Sequence, residues 1–308
     1  MNSLPRFREA LEKDFKHLQI MVEQENKALA EILLDPNLFK ETLKKAEETE
    51  DKLSAALFLF TVQGVLTDQQ KRLARATLIR LLMELASKIS AKGTRSTEMF
   101  RAQYKPGLED ISIEETMEST VSKGVVCYED LVMIDKRQKK RGFALILDTS
   151  NSMQREKLVL SILAVCVLAY CLKGEEYAII TFNTEAKVLK DIKEEMTIEE
   201  LLETVLEIKP ENATNIRVGL EKGFEQLSKS SAHEKVGVLV TDGWATVGED
   251  PVEIASKFPR LHVIQAPFGF CGGDEEMCNR IAVAGRGKRI YVEKFEELPG
   301  AILQSLIP

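Results

Sequence analysis

Aromatic residues are scarce in this 308-residue chain, at 6%, with one tryptophan, and there are only three histidines. So little ring surface argues against an extended base-stacking platform for nucleic acid. A formal charge of −7 argues against nucleic-acid binding through net charge, although local basic patches stay open. Five cysteines, an odd and scattered number, make no disulfide framework and fit a reducing compartment. The first thirty residues intersperse Arg6, Arg8, Glu9, Glu12, Lys13, Asp14 and Lys16 with apolar positions, so they lack the apolar stretch of a signal peptide. One uncharged run that stands out, Leu158–Leu172, has 15 residues. A bilayer requires roughly 20, so a buried core helix is expected and no membrane span. A cytoplasmic, soluble protein is the resulting expectation. Phosphate loops of the Gly-x-Gly-x-x-Gly and Walker types are missing as well.

What is present falls into three stretches. Residues 1–92 carry apolar stripes at helical spacing and predict a small helical bundle. Phe7, Leu11, Phe15, Leu18, Val22, Leu29 and Leu33 predict one first helix, interrupted at Asp35-Pro36. A second helix is expected within Phe39–Val62. Thr67 with Gln70 forms a capping-box signal for a third, whose core face would carry Leu73, Leu78, Leu81, Leu82, Leu85 and Ile89, with Gly93 closing it. Residues 93–141 are a less regular connector, with a capped helix at Ser112–Glu115 and a strand at Tyr128–Ile134. It ends in Lys136–Arg141, five basic residues in six. That run is either a phosphate-binding patch or, as the acidic balance of the chain favours, a solvated turn between two strands.

From residue 142 to 308, short apolar strands alternate with helices. Strands are expected at Phe143–Leu147, Tyr177–Phe182, Val236–Val240, Leu261–Gln265 and Arg289–Val292. The alternation predicts an α/β fold, a doubly wound and mostly parallel sheet. Ligands of such sheets sit beyond the carboxyl ends of the strands. There the sequence offers Asp148, Ser150 and Ser152 after the first strand, Thr214 at the start of a helix, and Asp242 after Val236–Val240. These are hard oxygen donors with no thiolate or imidazole among them, a set that suits Mg²⁺ or Mn²⁺ better than Zn²⁺. Two carboxylates leave a divalent ion formally neutral and electrophilic. Singly, Ser150, Ser152 and Thr214 read better as helix caps.

Taken together, Asp148-x-Ser150-x-Ser152, Thr214 and Asp242 resemble the metal-ion-dependent adhesion site of von Willebrand factor A (vWA) domains. The similarity runs from Gly142 to Pro308. It implies direct metal bonds from Ser150 and Ser152, a direct or water-mediated bond from Thr214, and water-mediated bonds from Asp148 and Asp242. Asn151 stands where that family often has glycine, and asparagine tolerates a left-handed backbone better than most residues. The resemblance implies a non-enzymatic adaptor whose metal accepts an Asp or Glu carboxylate from a protein partner. The helical domain ahead of it is similar in arrangement to the CoxE-like group, which implies a MoxR-type AAA+ ATPase as a possible partner. A weaker similarity reaches the integrating subunits of metal chelatases. In relatives the last helix moves with the metal ligands, which here would involve Ile302 and Leu306.

Trp244, Phe268 and Phe270 follow strands on the same rim and are candidate partner anchors, with packing over the sheet end as the alternative for Trp244. A phosphate-ester hydrolase using the same metal is a second possibility, opposed by the lack of a nearby general acid or base. An RNA-binding scaffold, resting on Lys136–Arg141 and on Lys71, Arg72, Arg75 and Arg80, is a third. Cys271, Cys278 and His262 match no common zinc spacing.

Overall fold

The computed structural model describes residues 3–90, 98–103, 111–120, 130–137, 140–150, 156–208, 213–265, 273–293 and 297–306. The chain opens with α1 (Ser3–Lys13), α2 (Phe15–Leu33), α3 (Pro36–Glu48), α4 (Lys52–Val62) and α5 (Asp68–Ser90). The expected single first helix is two. Asp14 breaks it, because its Oδ1 accepts the His17 backbone N–H at 2.9 Å and starts α2 as an N-cap. The expected second helix is also two, each opened by an aspartate. Asp35 accepts from the Asn37 N–H at 2.8 Å, with Pro36 at the first helical position, and Asp51 accepts from the Ser54 N–H at 3.1 Å. Asp35-Pro36 therefore begins a helix as well as ending one. The capping box holds as expected: the Thr67 N–H donates to Gln70 Oε1 at 3.1 Å, and the Gln70 N–H to Thr67 Oγ1 at 3.4 Å. Leu73, expected in the core, is half exposed because it lies on the outer side of α5.

Two antiparallel strands, β1 (Glu98–Gln103) and β2 (Val132–Arg137), enclose α6 (Ile113–Thr120) in sequence. The strand expected at Tyr128–Ile134 thus begins later, at Val132. The expected turn at Lys136–Arg141 lies partly outside the described residues. Of the suggested RNA face, Lys71, Arg75 and Arg80 each face a carboxylate, those of Asp68, Glu207 and Glu47.

The sheet that follows is built from β3 (Arg141–Asp148), β4 (Glu176–Phe182), β5 (Ala186–Lys190), β6 (Glu234–Thr241), β7 (Leu261–Gln265) and β8 (Arg289–Tyr291). Their order is β5-β4-β3-β6-β7-β8, parallel except for the edge strand β5, which returns antiparallel from β4. β5 is not foreshadowed by pattern, since Ala186–Lys190 carries two lysines and too little apolar alternation. The connecting helices are α7 (Glu156–Cys171), α8 (Ile198–Val205), α9 (Ile216–Lys229), α10 (Val252–Ala255), α11 (Glu275–Ala284) and α12 (Leu298–Leu306).

Strand alternation divides the core in two. Phe143, Leu145, Leu147, Val236, Val238 and Val240 face one side, in one continuous cluster with α7, α12 and the N-terminal helices. Ala144, Ile146, Ile180, Phe182 and Leu239 face the other, against α9, α10 and α11. The uncharged run of α7 is explained by this arrangement. The helix packs on the sheet and also meets α4, α5 and α12, so Leu158–Ala169 is buried on every side. On the opposite side, α9 comes unusually close to the sheet. A Cβ on Gly219 would lie 2.6 Å from the Phe182 ring, and one on Gly223 would collide with Ile146.

His262, in β7, is buried. Its Nδ1 accepts the Lys288 N–H at 3.2 Å, and its Nε2 has no hydrogen-bond partner among the described residues. Burial, then the positive charges of Arg260 and Lys288, push its pKa below the usual 6.5. A depressed folded-state value means that the unfolded chain binds the proton more readily. Stability is therefore retained above the ordinary histidine range and lost as pH falls through it. Urea denaturation at pH 7.5 and 5.5 should show a loss at the lower pH, and the His262→Gln variant should lose less.

Candidate metal centre

The strand order reverses direction between β3 and β6, and the carboxyl ends of these two strands carry the candidate ligands. Asp148 ends β3 with no exposed surface. Its Oδ1 accepts the Ser150 N–H at 3.0 Å, and its Oδ2 accepts the Thr241 hydroxyl at 2.9 Å. Burial raises its pKa, while hydrogen bonds from the Ser150 backbone and side chain and from Thr241 pull it down. Every one of those donors is neutral. Among the described residues no positive charge is bonded to this carboxylate, and a cation is the group that would offset the desolvation of its ionised form.

Asp242 follows β6, is buried, and accepts the Trp244 N–H at 2.9 Å. The chain turns at Gly243, whose φ of +86° and crowding by the Asp274 carbonyl both demand glycine. Thr214 is buried just ahead of α9 and is clasped by the loop after β6. Its N–H donates to Thr246 Oγ1 at 2.8 Å, and its carbonyl accepts the Thr246 N–H at 2.9 Å. The close approach of α9 through Gly219 and Gly223 brings this segment to the rim.

Further bonds tie the loops to one another. The Thr149 N–H donates to the Phe182 carbonyl at 2.8 Å, the Asn215 N–H to the Asn183 carbonyl at 2.8 Å, and the Asp274 N–H to the Asp242 carbonyl at 2.8 Å. Together with Thr241–Asp148 and Thr246–Thr214, they knit the ends of β3, β4 and β6 and the starts of α9 and α11 into one framework. Thr149, Thr241 and Thr246, which brace the rim, were not singled out from the sequence; Thr149 and Thr241 adjoin Asp148 and Asp242, whereas nothing in the sequence around Thr246 marks it.

Asp148, Ser150, Thr214 and Asp242 are thus all buried at the sheet's carboxyl rim. Ser152, Phe268 and Phe270 lie outside the described residues. Trp244 is on the rim and 47% exposed. Among the described residues, no group of three or more His, Cys, Asp or Glu side chains could hold a metal, so any ion here depends on hydroxyl donors beside the two aspartates. The donor set present, all oxygen, fits a hard divalent cation. His233 and His262 lie at the opposite edge of the sheet, by the starts of β6 and β7, and His17 is in α2. None can serve as acid or base at this rim.

The von Willebrand factor type A domain family matches residues 143–304, over half of the chain, from the third residue of β3 through β8. The chain belongs to this family. A vWA domain is a general protein-interaction and metal-dependent adhesion fold, mostly non-enzymatic. Similar solved structures include BatB, a conserved hypothetical protein from Bacteroides thetaiotaomicron, at 20% identity and TM-score 0.45, covering 54% of this chain and 97% of that one. A von Willebrand factor type A protein from Catenulispora acidiphila has 16% identity and TM-score 0.49, covering 56% of this chain and 43% of its own. Proximal thread matrix protein 1 of the mussel byssus, with zinc in its MIDAS motif, has 19% identity and TM-score 0.44, covering 55% and 47%. No curated protein matches the chain. Among the described residues, no helix of this vWA protein is long and apolar enough to cross a membrane.

Thr241→Val removes the hydroxyl that donates to buried Asp148 and accepts from the Gly243 N–H. It should cost about 1–3 kcal/mol in urea denaturation, the range for orphaning buried polar groups. A change within error would mean that this bond does not hold the rim together.

Proposed function

We propose that this vWA protein is a non-enzymatic adaptor whose rim holds Mg²⁺, or Mn²⁺, and captures a carboxylate from a protein partner. Ser150, Ser152 and Thr214 would bind the ion directly or, for Thr214, through water, and Asp148 and Asp242 would act through water. The observation that carries this reading is Asp148, a fully buried carboxylate whose donors among the described residues are all neutral, on a rim that also holds buried Ser150, Thr214 and Asp242. Bound there, a hard cation supplies a coordination position that the chain's own side chains leave to an incoming anion. The protein's part is orientation. Thr241 and the Ser150 N–H fix the Asp148 carboxylate, the Trp244 N–H fixes Asp242, and Thr246 fixes the Thr214 backbone. Two aspartates balance a divalent charge and no more, which keeps the ion attractive to a third carboxylate. Absence of a histidine from the described part of the rim speaks against hydrolysis.

The helical domain at residues 1–92 and the connector at 93–141 would present a client or recruit a second protein, with a MoxR-type AAA+ ATPase as the partner that the CoxE-like arrangement suggests. Calorimetric titration of Mg²⁺ should reveal one site. Asp148→Ala or Ser150→Ala should weaken it by about tenfold or more, equivalent to ~1.4 kcal/mol. Capture of cellular proteins on the immobilised chain should include partners that are released by EDTA and lost with Asp148→Ala. Capture indifferent to both would contradict the adaptor.

A further inference from the structure

At the pole opposite the candidate metal centre, where the parallel strands begin, part of the surface is basic in a chain whose formal charge is −7. Three segments meet there: residues 230–235 leading into β6, 256–260 leading into β7 and 284–288 leading into β8. They carry Lys235, Lys257, Arg260, Arg286 and Lys288, with Glu234 as their one carboxylate. The segments are pinned to one another. Arg286 Nη1 donates to the Phe258 carbonyl at 2.9 Å, the Gly237 N–H to the Arg260 carbonyl at 2.8 Å, and the Leu261 N–H to the Gly285 carbonyl at 2.8 Å.

Glu234 is taken by Arg260 at 3.5 Å. Among the described residues, Lys235, Lys257 and Lys288 meet no carboxylate, whereas Arg217, Lys222, Lys229 and Arg280 of the same domain are all paired. The carbonyl ends of α10 and α11 account for Lys257 and Arg286, which follow them, but no helix ends at Lys235 or Lys288. Those two, with Arg260, stand at the entries of three neighbouring strands, β6, β7 and β8. Adjacent strands lie about 4.8 Å apart, so the three positions form a row about 10 Å long.

We propose that this basic pole docks an extended acidic segment of a protein partner, its carboxylates set in line along the entries of β6, β7 and β8. Three residues of extended chain span about 10 Å, the length of the row. Cations spread over three strands do not converge on a single phosphate. The pole is also not built to stack bases: the exposed rings among the described residues, Trp244 and Tyr291, stand at the opposite ends of the strands. Val283, 77% exposed near the end of α11, adds an apolar contact beside Arg286 that a peptide side chain can cover. The eight residues of β6 put roughly 25 Å between this pole and Asp242. Docking here is therefore independent of the metal, and one domain can hold an acidic partner at this pole while its rim is engaged.

Fluorescence anisotropy of a labelled octapeptide of alternating Glu and Ser, and of its Gln counterpart, titrated with the full chain, tests this. The Glu peptide should bind and the Gln peptide should not. High salt should weaken binding severalfold, because exposed charges are screened, and EDTA should leave it unchanged. Lys235→Gln/Lys288→Gln should weaken it about fivefold. Lys257→Gln/Lys288→Gln, at two exposed positions where folding is not at stake, should weaken it as well. Lys40→Gln/Lys187→Gln, which removes equal charge elsewhere, should not. A Glu peptide that binds no better than the Gln peptide, that is released by EDTA, or that is weakened equally by the distant pair would overturn the proposal. So would phosphatidylserine vesicles or an oligothymidylate that bind more tightly than the peptide and lose that binding in Lys235→Gln/Lys288→Gln.

Discussion

A carboxylate with no exposed surface at the end of a central strand is expensive, and Asp148 is held against that cost by oriented neutral donors from its own loop and from the neighbouring strand. Thr241 can reach it only because β3 and β6 are adjacent and in parallel register up to their last residues. The adjacency is in turn the point where the strand order reverses, so the chain leaves β3 and β6 toward opposite faces and opens a crevice between them. Thr214 and Asp242 reach the same rim through a helix that hugs the sheet at two glycines and a turn that only glycine can make. The rim is thus built by long-range hydrogen bonds more than by any one loop.

The N-terminal helices are joined to this sheet through α7. That helix is wrapped on one side by the strands and on the other by α4 and α5, and the resulting apolar cluster is continuous. Arg75 of α5 also approaches Glu207, just past α8, at 3.7 Å. Forces on the helical bundle therefore meet the sheet face directly, and α12, which packs on the same side of α7, shares that core.

The parallel strands were legible because each is a short apolar run bounded by turn residues. The ligand candidates were legible because hydroxyls and carboxylates recur just past those runs. Other features were not. Asp14 and Asp51 start helices inside stretches whose apolar stripe continues unbroken, and a stripe does not record where the backbone changes direction. β5 carries Lys187 and Lys190, and the latter is buried with its ammonium donating to the Tyr177 carbonyl at 2.8 Å, a fate that sequence pattern assigns to no lysine. Leu73 has the spacing of a core residue but sits where no neighbouring helix arrives. The supporting threonines, Thr149, Thr241 and Thr246, matter through partners that lie from 32 to 93 residues away.

In the proposed function, oxygen donors from the end of β3, the start of α9 and the end of β6 would converge on one cation. Crystals of the full chain soaked in Mn²⁺, with anomalous diffraction recorded at the manganese edge, test it most directly. A single strong peak is expected at the rim, with the Ser150 hydroxyl at roughly 2.1 Å, the distance of a hard octahedral cation, or slightly beyond it for manganese, and Asp148 and Asp242 within reach of its waters. An empty rim, or a peak held by other residues with Asp242 turned away from Ser150, would contradict it.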